Sequence, residues 1–408
     1  MKPSSKYLIF LIIFSWMGLV GADWFLRFYW YHWHTRLVTS KIASSSGQPI
    51  TSFRGQGVPL STIEKEIARG GNLSNLIPRG AVWSGIEEDR PAQSIQYDRY
   101  GFLNEPLVEC DKYSVVVVGD SFMTAQTHMS NSFPASLASI NRLCVYNYSF
   151  SAYGPTFSLA RFLKDPRFLL NQPSILIWGI AEHSLHGARH WPDLKSSLMD
   201  RPAPEVSTLL PRSRFSWQLL SPGKLSSELN SSSALAQFAR NQWVWINYHV
   251  FGVLPEDIVL STDKTMLFNA WTIKDMAIPL EQRWISSIVD SIVAVNELLA
   301  SRGVRLVVLL IPEKEHVYWQ RLPDGPLTSL AIAESNRVLS FLESSLNENE
   351  VHTVNLLKVF QPLSQENTNL YWRDDTHWKP DGALLAARSI APFLSELIYK
   401  TKSMDKEQ

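Results

Sequence analysis

Four consecutive valines, Val115–Val118, run directly into Gly119-Asp120-Ser121-Phe122. A short, wholly apolar, β-branched run is predicted to be a strand buried on both faces, the kind found inside parallel sheets. Such a sheet needs helices on both sides, which makes the fold class α/β. A strand ending in Gly-Asp-Ser presents its hydroxyl at the C-terminal edge of the sheet, where open α/β sheets bind their ligands.

The pattern around this strand repeats the α/β rhythm. A helix is expected over Phe133–Ile140, a strand over Val145–Tyr148, a helix from Phe157 to Phe162 and a strand over Ile175–Trp178. Successive β-α-β units imply parallel strands. Residues 184–280 break the rhythm with Ser, Pro and Trp, and helical runs are expected around Ser226–Arg240 and Gln242–Val250. This segment is read as an insertion over the sheet edge, with Trp217, Trp243, Trp245 and Trp271 as candidates for sugar stacking. Helical spacing returns with Ile285, Ile288, Val289, Ile292, Val295, Leu298 and Leu299, which end before the C-cap signal Gly303. A strand over Val304–Ile311, a helix over Leu327–Leu346, a strand over Val351–Asn355 and a helix over Gly382–Leu397 complete the domain. The domain is expected to cover residues 95–400, with a disordered tail at 401–408. Residues 31–94 read as a stalk and lead-in, with one short helix around Ser61–Ala68.

Serine is a weak nucleophile until a base takes its proton. Asp374-Asp375-Thr376-His377-Trp378 supplies a histidine with a carboxylate two or three positions earlier, a suitable base and orienter. Gly-Asp-Ser and Asp-Thr-His in one chain are more specific together than apart. Together they resemble the SGNH/GDSL hydrolase superfamily. Within it, the chain looks most like the SGNH-like proteins of exopolysaccharide O-acetylation, the alginate type. Tyr97–Phe102 is similar to the lead-in to the first strand, Asn147–Pro155 to the second block, and Leu176–His183 to the third. Pro312–Tyr318 is similar to the Pro-x-Lys-x-x-x-Tyr stretch.

The resemblance implies an SGNH-hydrolase-like (flavodoxin-like) three-layer sandwich with a mainly parallel sheet. It implies Ser121 as nucleophile, His377 as base and then acid, and Asp375 as orienting carboxylate. Asp374 is the alternative, and whichever aspartate is unused is expected to be solvated or a helix cap. Oxyanion donors would come from Ser121 and the block at Ala152 and Gly154. The third-block asparagine is replaced by Ala181, leaving His183 or Arg373 as substitutes. Lys314, Tyr318, Arg373 and Trp378 are substrate-contact candidates, with a structural ion pair as the other role for Lys314 and Tyr318. No metal or cofactor is called for. The implied partners are a polysaccharide acceptor and a polytopic membrane acyltransferase as acetyl donor. In the alginate proteins the Asp-x-His motif precedes the serine; here the serine comes first, as in ordinary SGNH esterases. Acetyl transfer to an exopolysaccharide or envelope glycan is the expected reaction; ester hydrolysis is the alternative that this order raises, and an inactive polysaccharide-binding role the alternative that Ala181 and the fifteen tryptophans raise.

The bulk composition bears on location and partners. The 38 basic and 38 acidic residues balance, so no basic excess points to nucleic acid. Residues 7–22 are apolar behind Lys2 and Lys6, an order that places the rest of the chain outside the cytoplasm. The expectation is an inner-membrane anchor with a periplasmic domain, the alternative being secretion after cleavage near Val20-Gly-Ala22. Cys110 and Cys144 precede two strands expected to be neighbours, so an oxidising compartment would permit a bridge.

Overall fold

A computed structural model describes residues 5–25, 113–124, 131–150, 154–186 and 234–407 except 367. It also describes shorter stretches between 41 and 104, together with residues 110 and 191.

The N-terminal helix spans Ser5–Phe25. Its described side chains begin at Phe14, and Phe14, Trp16 and Met17 are exposed. Among the described residues no helix is long and apolar enough to cross a membrane. The lead-in is built of short strands: β1 (Lys41–Ser44), β2 (Ser61–Lys65), β3 (Ala68–Arg69), β4 (Asp89–Arg90) and β5 (Gln93–Gln96). The helix expected around Ser61–Ala68 is instead β2, paired antiparallel with β1 and β5. Ser-Thr-Ile is a β-forming run, and pairing with two neighbours overrides the local helical reading.

The central sheet contains β6 (Val115–Val118), β7 (Val145–Asn147), β8 (Ile175–Ala181), β11 (Arg305–Ile311) and β12 (His352–Asn355). Its spatial order is β7-β6-β8-β11-β12, and every pair is parallel. In order of appearance this is 2-1-3-4-5, the flavodoxin-like order, whose switch point lies between the first and third strands. All four valines of β6 and all seven residues of β8 are buried. Alternate residues of a strand face opposite sides, so burial of every position requires cover on both faces. Each valine so buried contributes about 2 kcal/mol.

The covering helices include Phe133–Asn141, which packs on the C-terminal helix Pro380–Glu407. Gln282–Ala300 and Pro326–Glu348 pack on each other and against β11 and β12. The first turn of Phe133–Asn141 is capped by Ser132 Oγ, which accepts from Ala135 N. The expected apolar stripe of Gln282–Ala300 is buried from Ile285 to Leu299. The C-terminal helix continues to Glu407, so the tail expected to be disordered at 401–408 is helical through Glu407.

Within 184–280, the helix Ala234–Phe251 runs continuously through the end of the first expected run and the whole of the second; residues 226–233 of the first lie outside the described residues. It is followed by the hairpin of β9 (Ile258–Leu260) and β10 (Leu267–Asn269) and the helix Ala270–Met276. Trp217 lies outside the described residues. Val244 and Tyr248 of the long helix pack on a small core of Leu73, Ile86, Ile258 and Leu267. This second core fastens the lead-in to the domain.

Cys110 and Cys144 are disulfide-bonded, with 6.1 Å between their Cα atoms. Closing a loop with a sequence separation of 34 removes unfolded-state entropy worth about 4 kcal/mol. Denaturant titration of the Cys110→Ser/Cys144→Ser double variant is expected to show that loss. A midpoint equal to that of the parent would contradict it.

Candidate active site

Ser121 follows β6 in a tight turn at the first strand of the switch point. Asp120 builds the turn. Its Oδ1 accepts from Phe122 N at 3.0 Å, and its carbonyl accepts from Met123 N and Thr124 N at 3.1 and 3.3 Å. Thr124 Oγ1 donates to Ser121 O at 2.9 Å. Met123 tucks under the sheet edge against Gly179, where an added Cβ would sit 2.0 Å from its methyl carbon. The turn is therefore fixed from below by packing and from within by hydrogen bonds.

His377 comes from the other end of the chain, on a turn closed at its base by a bridge between Tyr371 and Trp378. Trp372 N donates to His377 O at 3.2 Å, and Lys379 N to Leu370 O at 2.7 Å. The ring reaches across the sheet edge, and its Nε2 lies 2.9 Å from Ser121 Oγ. Its Nδ1 lies 2.7 Å from Asp375 Oδ1, which also accepts from His377 N at 3.0 Å. Burial alone would raise the Asp375 carboxyl. The hydrogen bond and charge of His377, the Asn72 N–H and the Arg90 cation outweigh it and hold the carboxyl well below the usual range. An ionised carboxylate can only accept, so Nδ1 carries the proton and Nε2 is left to accept from Ser121.

Asp374 has a different role. Its Oδ2 accepts from Gly71 N at 2.9 Å and Glu88 N at 3.1 Å, and its Oδ1 from Arg90 Nη2 at 3.2 Å. It is fully buried, so it is neither the orienter of His377 nor the solvated residue or helix cap expected for the unused aspartate.

Three substrate-contact candidates are corrected. Lys314 is fully buried, and its Nζ donates to Leu267 O, Arg373 O and Asp375 O at 2.6, 2.9 and 3.1 Å. Burial pulls its pKa down, against the charges of Glu315, Asp375, Asp374 and Glu88 nearby. It fastens the histidine turn from beneath by its backbone carbonyls, in place of the expected ion pair or substrate contact. Tyr318 is likewise buried; its hydroxyl donates to Thr368 O at 2.9 Å and accepts from Leu370 N at 2.6 Å. Trp378 is buried edge-on to Phe122 and beside Phe133 and Phe360, a support for the turn. Arg373 is half-buried and paired through Nε with Glu88 Oε1 at 3.2 Å. Gly154 is the N-cap of Pro155–Phe162 with a φ of 73°, a conformation suited to glycine. Ala152 lies outside the described residues.

A second polar cluster borders the serine turn. His183 Nδ1 is 2.6 Å from Glu313 Oε1, and its Nε2 is 3.8 Å from Asp120 Oδ2. Behind it, Glu182 binds His316 Nδ1 at 3.0 Å, and His316 Nε2 meets Asn336 at 3.1 Å. The His183 side chain is 46% exposed; the partial loss of water around its ring would lower its pKa, but the charge and hydrogen bond of Glu313, then Asp120 and Glu182, raise it to about 9. A raised folded-state pKa gives stability that is complete below the ordinary imidazole value of 6.5 and is lost as pH rises through about 9. The lowered pKa of the buried Lys314 works in the opposite sense, so the quantity expected to fall between pH 6 and 10 is the stability difference between the parent and His183→Gln, measured by denaturation at each pH. A difference that does not change with pH would remove His183 as a source of pH-dependent stability. The sequence had drawn attention to the Pro312–Tyr318 stretch, but not to Glu313, Glu182 or His316 as one network.

Among the described residues no cluster of His, Cys, Asp and Glu could hold a metal ion. The arrangement suits acyl chemistry: a serine hydroxyl, a base within hydrogen-bond reach and an ionised orienter.

Residues 267–408 match the family model of the SGNH hydrolase-like domain of the acetyltransferase AlgX. The chain is thus similar to the SGNH hydrolase-like family. The matched region includes β11, β12 and the Asp375–His377 turn. Ser121 lies outside it and joins it through the parallel sheet. A protein of Pseudomonas fluorescens, "Probable alginate O-acetylase AlgJ", is 24% identical over 166 residues, covering 40% of this chain and 39% of that protein. The match therefore spans about two fifths of the relative's own length.

Three solved structures are also similar. A lipolytic protein of the G-D-S-L family from Desulfitobacterium hafniense DCB-2 is 11% identical, over 68% of this chain and 98% of that one, with a TM-score of 0.33. Phospholipase A1 from Streptomyces albidoflavus NA297 is 10% identical, over 70% and 99%, with a TM-score of 0.33. The salicylyl-acyltransferase SsfX3 from a tetracycline biosynthetic pathway is 13% identical, over 71% and 56%, with a TM-score of 0.31.

Proposed function

We propose that this protein is a membrane-anchored periplasmic O-acetyltransferase acting on an exopolysaccharide or cell-envelope glycan. The observation that carries the reading is the hydrogen-bonded line Ser121–His377–Asp375 at the switch point of the sheet. The match of residues 267–408 to the acetyltransferase domain family supports the choice of acyl group and reaction. The anchor rests on the apolar stretch 7–22 behind Lys2 and Lys6.

In the proposed reaction, Ser121 Oγ attacks the carbonyl carbon of an acetyl donor while His377 Nε2 takes the hydroxyl proton. The resulting imidazolium is stabilised by Asp375. Collapse of the tetrahedral intermediate expels the donor's oxygen, which leaves with the proton from Nε2. An acceptor sugar hydroxyl then gives its proton to Nε2 and attacks the acetyl-serine. Acetylated sugar leaves, and Ser121 regains its proton. A polytopic membrane acyltransferase as the source of the acetyl group fits a donor that must arrive across the membrane.

The test is mass spectrometry of the detergent-solubilised full chain with 4-nitrophenyl acetate and a panel of oligosaccharides. Acetylated oligosaccharide that disappears with Ser121→Ala supports transfer. Nitrophenol and acetate without acetylated sugar favour an esterase, a reading that the serine-first motif order also favours. No turnover and no labelling by a serine-reactive phosphonate would overturn both.

A further inference from the structure

Residues 71–73 and 88–90 belong to the segment that reads from sequence as a stalk, yet they wrap the turn that carries His377. The two stretches are tied together by β3 and β4, in which Ala68 pairs with Arg90 and Arg69 with Asp89. From the first, Gly71 N donates to Asp374, Asn72 N to Asp375 Oδ2 at 2.9 Å, and Leu73 N to Asp374 O at 3.1 Å. Asn72 and Thr376 form a reciprocal pair: Asn72 Nδ2 donates to Thr376 Oγ1 at 2.7 Å and Thr376 N to Asn72 Oδ1 at 3.0 Å. A Cβ on Gly71 would lie 2.4 Å from Asp374 O and 2.5 Å from Asp375 Cβ, so no other residue fits this approach.

Arg90 is the centre of the clasp. One nitrogen, Nη2, lies 3.2 Å from Asp374 Oδ1 and 3.2 Å from Asp375 Oδ2. Nη1 donates to Glu88 O at 2.9 Å, and the guanidinium lies 4.5 Å from the centre of the Trp372 ring. The side chain is 9% exposed. The Asp375 carboxylate is thereby divided: Oδ1 serves His377, and Oδ2 serves Asn72 and Arg90.

We propose that Arg90 is a positioning residue, acting through Asp375 on the base His377, and that residues 71–73 and 88–90 are a working part of the active site. This rests on the reading of Ser121, His377 and Asp375 as the reacting line. Without Arg90, Oδ2 keeps only the Asn72 N–H, so the carboxylate is held less firmly about χ2 and the aim of the imidazole at Ser121 loosens. An error of about 1 Å at a proton-transfer contact costs on the order of 100-fold in rate. The charge also matters. A cation 3.2 Å from Oδ2 weakens the field that Asp375 exerts on the imidazolium. Removing it strengthens that field and makes the imidazolium harder to deprotonate. Among the described residues, the other charged groups around this turn include Lys314 beneath it with Glu315, Asp374 beside it, Glu88 with its partners Arg373 and Lys379, and, across the sheet edge, Asp120 with His183 and Glu313.

The experiment uses the detergent-solubilised full chain and 4-nitrophenyl acetate between pH 5 and 9, with parent, Arg90→Gln and Arg90→Lys compared. Melting temperature and phosphonate labelling of Ser121 are read alongside. The expected result for Arg90→Gln is a 10- to 100-fold fall in kcat at unchanged KM, with the acid limb of kcat/KM moved to higher pH. Arg90→Lys is expected to return the limb toward its parental position while recovering kcat only in part, because an ammonium lacks the planar fork. The low-field proton resonance of His377 Nδ1–H is expected to move in Arg90→Gln. Parental kcat and pH profile in Arg90→Gln would overturn the proposal. So would a fall in kcat that follows the melting temperature with the acid limb and the resonance unmoved, since that marks a purely structural residue. A parent protein that phosphonate does not label would instead sink the reading of Ser121 itself, and this inference with it.

Discussion

Ser121→Ala is expected to lower acetyl turnover by about 10^4-fold or more, leaving only what binding and oxyanion contacts supply. The size of the effect follows from geometry. Ser121 Oγ lies 2.9 Å from the base that takes its proton, so its removal deletes the bond-forming atom and leaves no covalent route. The fold has little reason to change. Ser121 is half-buried on the turn, and the bonds that shape the turn run through Asp120 and Thr124. The melting temperature is therefore expected to stay within about 2 °C of the parent, as for surface changes of about 0.5 kcal/mol or less. Mass spectrometry should find acetyl on Ser121 of the parent after brief exposure to 4-nitrophenyl acetate and none on the variant. Parental turnover in the variant would remove Ser121 from the chemistry and with it the proposed function.

What could be read from the sequence follows what is local. The four-valine strand, the stripe from Ile285 to Leu299 and the Gly-Asp-Ser turn are decided by residues a few positions apart, and all three were legible. The pairing of Ser121 with His377 was legible only as a pair of motifs; 256 positions separate them, and the sheet brings them together. The clasp on Asp374 and Asp375 was not legible. Gly71, Asn72 and Arg90 have no periodicity and sit among turn residues, so they look like linker. Their partners lie about 300 positions away, and nothing local marks a backbone N–H that will find a carboxylate. Lys314 was misread for a related reason. A lysine after a strand end looks solvent-facing, and only the packed turn above it supplies the three carbonyls that make its burial tolerable. The helix expected around Ser61–Ala68 failed because pairing with β1 and β5 decided the backbone.

The two aspartates before His377 separate most sharply by experiment. In Asp375→Asn, the amide must choose which end faces the base. Asn72 N–H and Arg90 Nη2 both donate toward Oδ2, against the single backbone N–H of His377 at Oδ1, so the amide oxygen settles at Oδ2 and its NH2 points at His377. Nδ1 then becomes an acceptor, the imidazole proton moves to Nε2, and the base presents a hydrogen to Ser121 in place of a lone pair. A loss of about 10^4-fold in kcat is expected, with the fold intact. Asp374→Asn meets a different environment. Gly71 N and Glu88 N hold its oxygen at the Oδ2 position, so its NH2 faces the Arg90 guanidinium. That replaces a buried charged contact with an opposed pair of donors and costs about 1–3 kcal/mol of stability. Its effect on kcat is expected to be far smaller, because His377 keeps its carboxylate. Turnover of 4-nitrophenyl acetate and melting temperature, measured on both variants, decide the matter. Equal losses of kcat at equal stability would mean that the pair acts as one unit. A larger loss in Asp374→Asn would reverse the assignment of the orienting carboxylate.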